Sequence, residues 1–116
     1  MRRLCTIAIF TLAFSNEALA DRPTSPDLQC EIFASFAELA MTGRQSGMSL
    51  SSTFEIIDSR NLREELKAIY REIAIRAHSG PSYSSPSVVA RVVSDFRSEI
   101  HVICLRDVNM RQLFDN

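Results

Sequence analysis

Two histidines, three cysteines and a handful of clustered carboxylates are the side chains here with catalytic or ligating chemistry. A catalytic histidine needs a nucleophile and an orienting carboxylate. None stands at triad-like spacing from His78 or His101, although such partners need not be close in sequence. Cys30, Cys104 and the two distant histidines lack the short ligand spacing of a zinc site. Glu64-Glu65, and Glu31 with Glu38, are carboxylate pairs suited to acid–base work, but solvated helix faces account for them more simply. There is no Gly-rich phosphate loop, HExxH motif or calcium loop. The expectation is a protein with no catalytic residue, no metal and no cofactor.

Recognition chemistry is the alternative. Arg44-Gln45 combines a rigid fork of donors with an amide that both donates and accepts. The same pair can simply cap the carbonyls that end a helix, where a cation is favoured. Tyr83 presents apolar area and a polar tip, suited to a partner or to closing the end of a bundle. His78 falls near a helix C-terminus, where a protonated ring is a favourable cap. Arg44, Gln45, His78 and Tyr83 are the candidate interaction surface.

The elements that position them follow from periodicity. Ser25-Pro26 is a start signal, with serine as cap and proline in the first turn. The first helix is expected over residues 26–42, with an apolar stripe of Leu28, Ile32, Phe36, Leu39 and Ala40, widened by Phe33 and Ala37. Glu31, Ser35 and Glu38 lie off that stripe, and Gly43 is the expected stop. After the loop Arg44-Gln45-Ser46-Gly47, a short second helix carries Leu50, Phe54 and Ile57 on one face. Ser49 or Ser52 caps it, and Ser52 with Glu55 forms a capping box. The third helix is capped by Asn61 and runs to Gly80-Pro81 with an unbroken stripe from Leu62 to Ala77. Ser85-Pro86 opens the fourth, expected to reach about Asp107 on Val89, Val93, Phe96, Ile100 and Ile103. Its β-branched content leaves strands over residues 88–93 or 100–104 as the alternative.

The 116 residues, 46% hydrophobic and 23% charged, suit one ordinary domain. Residues 1–20 read as a signal peptide: Arg2-Arg3, an apolar run over residues 4–14, then Ala18-Leu19-Ala20, with cleavage expected between Ala20 and Asp21. Residues 21–116 are then a single helical domain, periplasmic or secreted. Losing Arg2, Arg3 and Glu17 moves the net charge from −1 to −2, which is no footprint for nucleic acid. No stable membrane insertion is expected after cleavage. Cys5 leaves with the leader, so Cys30 and Cys104 remain as an even pair in an oxidising compartment. Their bridge places the start of the first helix beside the end of the fourth. That suits an all-α, antiparallel bundle of about four helices, the second short, stapled by one disulfide. The same topology gathers Arg44, Gln45, His78 and Tyr83 at the opposite end.

The pattern Cys30; Arg44-Gln45-Ser46-Gly47; Leu50; Pro81-Ser82-Tyr83-Ser84-Ser85-Pro86; Phe96; Cys104 resembles that of small exported proteins of proteobacteria and their phages. The resemblance spans residues 30–104 and implies export, the bridge and the turns; it implies no activity. The chain departs from that pattern at Ile100, His101 and Val102, where an aromatic is usual. The expected role is a non-catalytic interaction module with a protein partner in the cell envelope. The alternatives are an acid-stress chaperone of the periplasm and an accessory of a cell-wall enzyme.

Overall fold

The computed structural model describes residues 26–107 and Met110. The expected leader, its cleavage site, Cys5, and residues 108, 109 and 111–116 lie outside the described residues. Four helices follow in order: α1 (Pro26–Gln45), α2 (Leu50–Asp58), α3 (Glu64–Ser79) and α4 (Pro86–Arg106). Among the described residues there is no strand, so the β-branched run after Ser85 is helix and the strand alternative falls.

α1 is the hub: it packs most extensively on α4 and then on α3, while α2 leans on α3 and barely touches α1. Cys30 and Cys104 are bonded, with Cα atoms 5.5 Å apart, so α1 and α4 run antiparallel. The buried cluster joins Phe33, Ala37 and Met41 of α1 to Ile73 and Ala77 of α3 and to Phe96 and Ile100 of α4. Tyr70 closes the α1–α3 seam edge-on against Phe33 and Phe36, at centroid distances of 5.3 and 4.8 Å. Burial pushes the Tyr70 phenol above its ordinary value, with the charge of Arg60 acting weakly the other way.

Polar side chains lace the outer edges. Arg97 of α4 donates to both Glu31 and Glu38 of α1, and His101 Nδ1 lies 3.5 Å from Glu31 Oε2. Glu31 and Glu38 therefore belong to an interhelical ion network, not to a solvated face. Asp58 at the end of α2 accepts from Arg71 of α3 at 2.8 Å, and the same guanidinium stacks over Phe54 at 5.4 Å. These contacts fix α2 to α3.

Several local expectations change. α1 continues through Gly43 to Gln45, and Gly47, at φ +92°, is the left-handed residue that stops it. Met48 N donates to Gly43 O at 2.9 Å and Gly47 N to Arg44 O at 3.1 Å, the paired bonds of a Schellman ending. Gly43 serves packing instead: a Cβ there would lie 3.3 Å from Met48 Sδ. α2 is capped by Ser49, whose hydroxyl accepts from Ser52 N at 3.1 Å, so Ser52 and Glu55 do not form the box. Asn61 adopts φ +54° in the α2–α3 turn, and α3 starts three residues later. α4 starts at Pro86 as expected, but Ser85 Oγ pairs with Ser87 Oγ at 3.2 Å and gives no side-chain cap.

The α1 stripe is displaced as well. The buried positions are Cys30, Phe33, Ala34, Ala37, Ala40 and Met41, whereas Leu28, Ile32 and Leu39 are exposed. The face that packs is rotated by about one residue from the face the largest side chains mark.

Candidate functional site

The ends of α1 and α3 meet, and the sequence-marked polar residues are what joins them. Because α1 ends in a Schellman turn, Arg44 and Gln45 occupy its last positions, pointed at the chain that leaves α3. Arg44 Nη2 donates to Gly80 O at 3.2 Å. Gln45 Nε2 donates to Pro81 O at 3.2 Å, and Gln45 Oε1 accepts from Tyr83 N at 2.8 Å. One amide thus holds both sides of the 81–83 backbone. A segment containing Pro81 has few backbone donors of its own, so a side chain supplies the pairing.

His78, in the last turn of α3, completes the clasp. Nδ1 lies 2.9 Å from Ala74 O and Nε2 3.1 Å from Met48 O. Both ring nitrogens face carbonyl oxygens, so a neutral ring donates to one and an imidazolium to both. The contact with Met48 O ties the α1–α2 loop to α3. Arg44, Gln45, His78 and Tyr83 are therefore brought to one place, but their hydrogen bonding runs inward. Tyr83 keeps an exposed ring, while Arg44 Nε is buried with no hydrogen-bond partner among the described residues. The arrangement is suited to holding two loops in register, and what it offers outward is chiefly the Tyr83 ring.

The other chemistry-bearing residues are dispersed. His101 and Glu31 sit on the α1–α4 seam, and Glu64 lies 3.5 Å from Lys67 on the exposed start of α3. Among the described residues no group of three or more His, Cys, Asp or Glu is placed to hold a metal ion. No described helix is long and apolar enough to cross a membrane.

Neither a family model, nor a curated protein, nor a solved structure matches the chain.

The second candidate is a feature the sequence reading did not single out. Between α1 and α2 lies an open groove of about 630 Å³, floored by Phe36, Ala40, Thr53, Ile57 and Tyr70. Ile32 and Leu39 stand on its α1 rim, Met48 and Ile56 on the other. These four are 43%, 68%, 39% and 42% exposed, an apolar ring turned to solvent. Arg60 is the single charged residue in the lining. A pocket of this size, mostly apolar with few polar groups, is the usual form of a binding site. The loop clasp positions it, because His78 anchors the backbone of Met48, whose side chain packs on Gly43 and forms one rim. A shallower depression of about 430 Å³ between α3 and α4 is lined by Arg76, Asp95 and Glu99 beside Phe96. Arg76 and Glu99 approach to 3.9 Å there, and the walls carry mixed charge.

One signal for the groove was present in the sequence. Leu28, Ile32 and Leu39 lie on one line of α1, and Cys30, Phe33, Ala37 and Ala40 on another. A helix apolar over that much of its circumference has two faces to satisfy.

Proposed function

We propose that this chain is an exported, non-catalytic protein-interaction module of the cell envelope, and that its contact face is the groove between α1 and α2. The reading is carried by one observation: Ile32, Leu39, Met48 and Ile56 surround an open apolar groove and are all substantially exposed. Contiguous exposed apolar surface of this kind marks interaction sites. The disulfide and the resemblance to small exported proteins support an oxidising, extracytoplasmic setting. His78 acts by positioning the Met48 rim, while Arg44 and Gln45 join the end of α1 to the Gly80–Tyr83 backbone.

Affinity capture from an envelope fraction tests the reading. Replacing Leu39 and Ile56 by Glu should remove the captured partner while leaving helicity and the disulfide intact. If that variant keeps its partner and alanine at Arg44, Gln45 and Tyr83 loses it, the contact face is the loop end. If neither variant loses the partner, both surfaces are wrong.

An acid-stress chaperone is the second reading. It draws on the same apolar groove and on the charge pairing of Arg97 with Glu31 and Glu38 across the α1–α4 seam. Helicity and oligomeric state from pH 7 to pH 2, with a client aggregation assay, separate the two. An unchanged, dispersed state without client protection rules the chaperone out.

A further inference from the structure

We propose that the groove between α1 and α2 receives an amphipathic helix of the partner protein, with apolar side chains at i, i+4 and i+7 and an acidic side chain over Arg60. This rests on the groove being the contact face and specifies what fills it.

The shape of the apolar surface decides between occupants. Leu28 is 55% exposed and continues the line of Ile32 and Leu39 along α1 beyond the groove. The eleven helical steps from Leu28 to Leu39 span about 16 Å. Met48 and Ile56 face this ridge from the other side. A single extended acyl chain would lie in the floor and leave both rims wet. An extended peptide would need an open sheet edge to pair with, and both walls are helices whose backbone bonds are satisfied internally. A helix of about three turns covers a ridge of this length, touches both rims and pairs its own backbone. Met48 adds an adaptable thioether where the incoming side chains vary.

Charge sets the polar end. Among the described residues, Arg71 is paired with Asp58, Arg76 with Glu72, and Arg97 with Glu31 and Glu38. Arg60, in the turn after α2, forms no ion pair among the described residues and lines the groove beside the Tyr70 phenol. An Asp or Glu on the incoming helix would supply the missing carboxylate, with Arg offering the two-pronged geometry.

The test is a selection from a library of helix-templated peptides of about sixteen residues, run on the oxidised, exported protein. Enriched peptides should carry apolar residues at helical period and an acid near one end. They should lose at least tenfold in affinity on Leu39→Glu and on Ile56→Glu. Arg60→Glu should weaken acidic peptides at least fivefold and favour the same peptides carrying Lys instead. Leu39 is 68% and Ile56 42% exposed, and circular dichroism and intact mass check that each variant keeps its helices and its disulfide. The proposal is overturned if nothing is enriched, if the winners are aperiodic, or if Arg60→Glu changes no preference. Dodecanoate displacing the peptides one-for-one would make the occupant an acyl chain. A dimer in sedimentation that Leu39→Glu dissolves would make it a second copy. Should the peptides fail while Leu39→Glu,Ile56→Glu still loses the envelope partner, the contact face stands and the helix falls. Should those substitutions change nothing in either assay, the face itself falls.

Discussion

Gln45 offers the sharpest test of how the two loops are held. Its amide makes two bonds to one strip of backbone, donating to Pro81 O at 3.2 Å and accepting from Tyr83 N at 2.8 Å. A net hydrogen bond stabilises by about 1 kcal/mol, and less where solvent competes for the same groups. Both bonds are solvent-accessible, so Gln45→Ala should cost about 1–2 kcal/mol. With a urea slope of about 1 kcal/mol/M for a domain this small, the midpoint should fall by about 1–2 M. Gln45→Glu separates the two bonds. The carboxylate still accepts from Tyr83 N, but it sets a negative oxygen against Pro81 O and cannot donate. At pH 7 it should be at least as damaging as alanine. Below about pH 4 the protonated carboxyl donates again, and the deficit relative to the parent should shrink. Urea titrations of the three proteins at pH 7 and pH 3.5 measure all of this. A Gln45→Ala protein within about 0.3 kcal/mol of the parent, or a Gln45→Glu protein of equal stability at pH 7, would refute the clasp.

Three further outcomes are expected. Replacing Cys30 and Cys104 together by Ala should lower unfolding free energy by up to about 4 kcal/mol, given a bridge across a sequence separation of 74; a loss under about 1 kcal/mol in urea titration would mean that the reduced chain keeps the α1–α4 pairing. Gly47→Ala should cost about 1 kcal/mol because its φ of +92° is unfavourable for any other residue, while Gly43→Ala should cost less because the facing Met48 thioether can move; thermal melts of both variants check the order. Burial raises the Tyr70 pKa above its usual value near 10, so the folded state holds that proton longer than the unfolded one. Stability from this group is present below pH 10 and declines as pH rises through the raised folded value, a decline that Tyr70→Phe should reduce in alkaline urea titrations.

The parts of the fold legible from sequence are those where one signal had no competitor. The α3 stripe runs unbroken from Leu66 to Ala77 and meets Gly80-Pro81, so its existence and end follow from the pattern. The pairing of Cys30 with Cys104 was expected once Cys5 was assigned to a leader, and the bond orders α1 and α4. Convergence of Arg44 and Gln45 with His78 and Tyr83 follows from that order; the direction of their hydrogen bonds does not. Helix ends were harder because they turn on which of two eligible residues takes the special conformation. Gly43 and Gly47 both suit a left-handed stop, and the choice rests on bonds from Met48 and Gly47 back to Gly43 and Arg44. Asn61 suits a cap and a left-handed turn alike, and the geometry between α2 and α3 required the turn.

The groove was signalled only by the second apolar line of α1, and what left that line open is a matter of length. α2 has nine residues and spans about 13 Å, whereas α1 has twenty and spans about 30 Å. A helix so short cannot cover the second apolar line of α1, and Phe54, Asp58 and Arg71 hold it against α3. α1 thus keeps one face for α4 and α3 and another without a full partner. Leu39, at 68% exposed, gains little from burial in the folded chain. On an exposed helical position Leu, Lys and Gln have nearly equal propensity, so the fold itself makes no demand for an apolar residue there. Leu39→Lys should therefore leave unfolding free energy within about 0.5 kcal/mol of the parent. If it also abolishes partner capture, the side chain serves contact and not packing. A loss of stability above about 1 kcal/mol would instead make Leu39 part of the core, and the groove a gap in packing with no occupant to find.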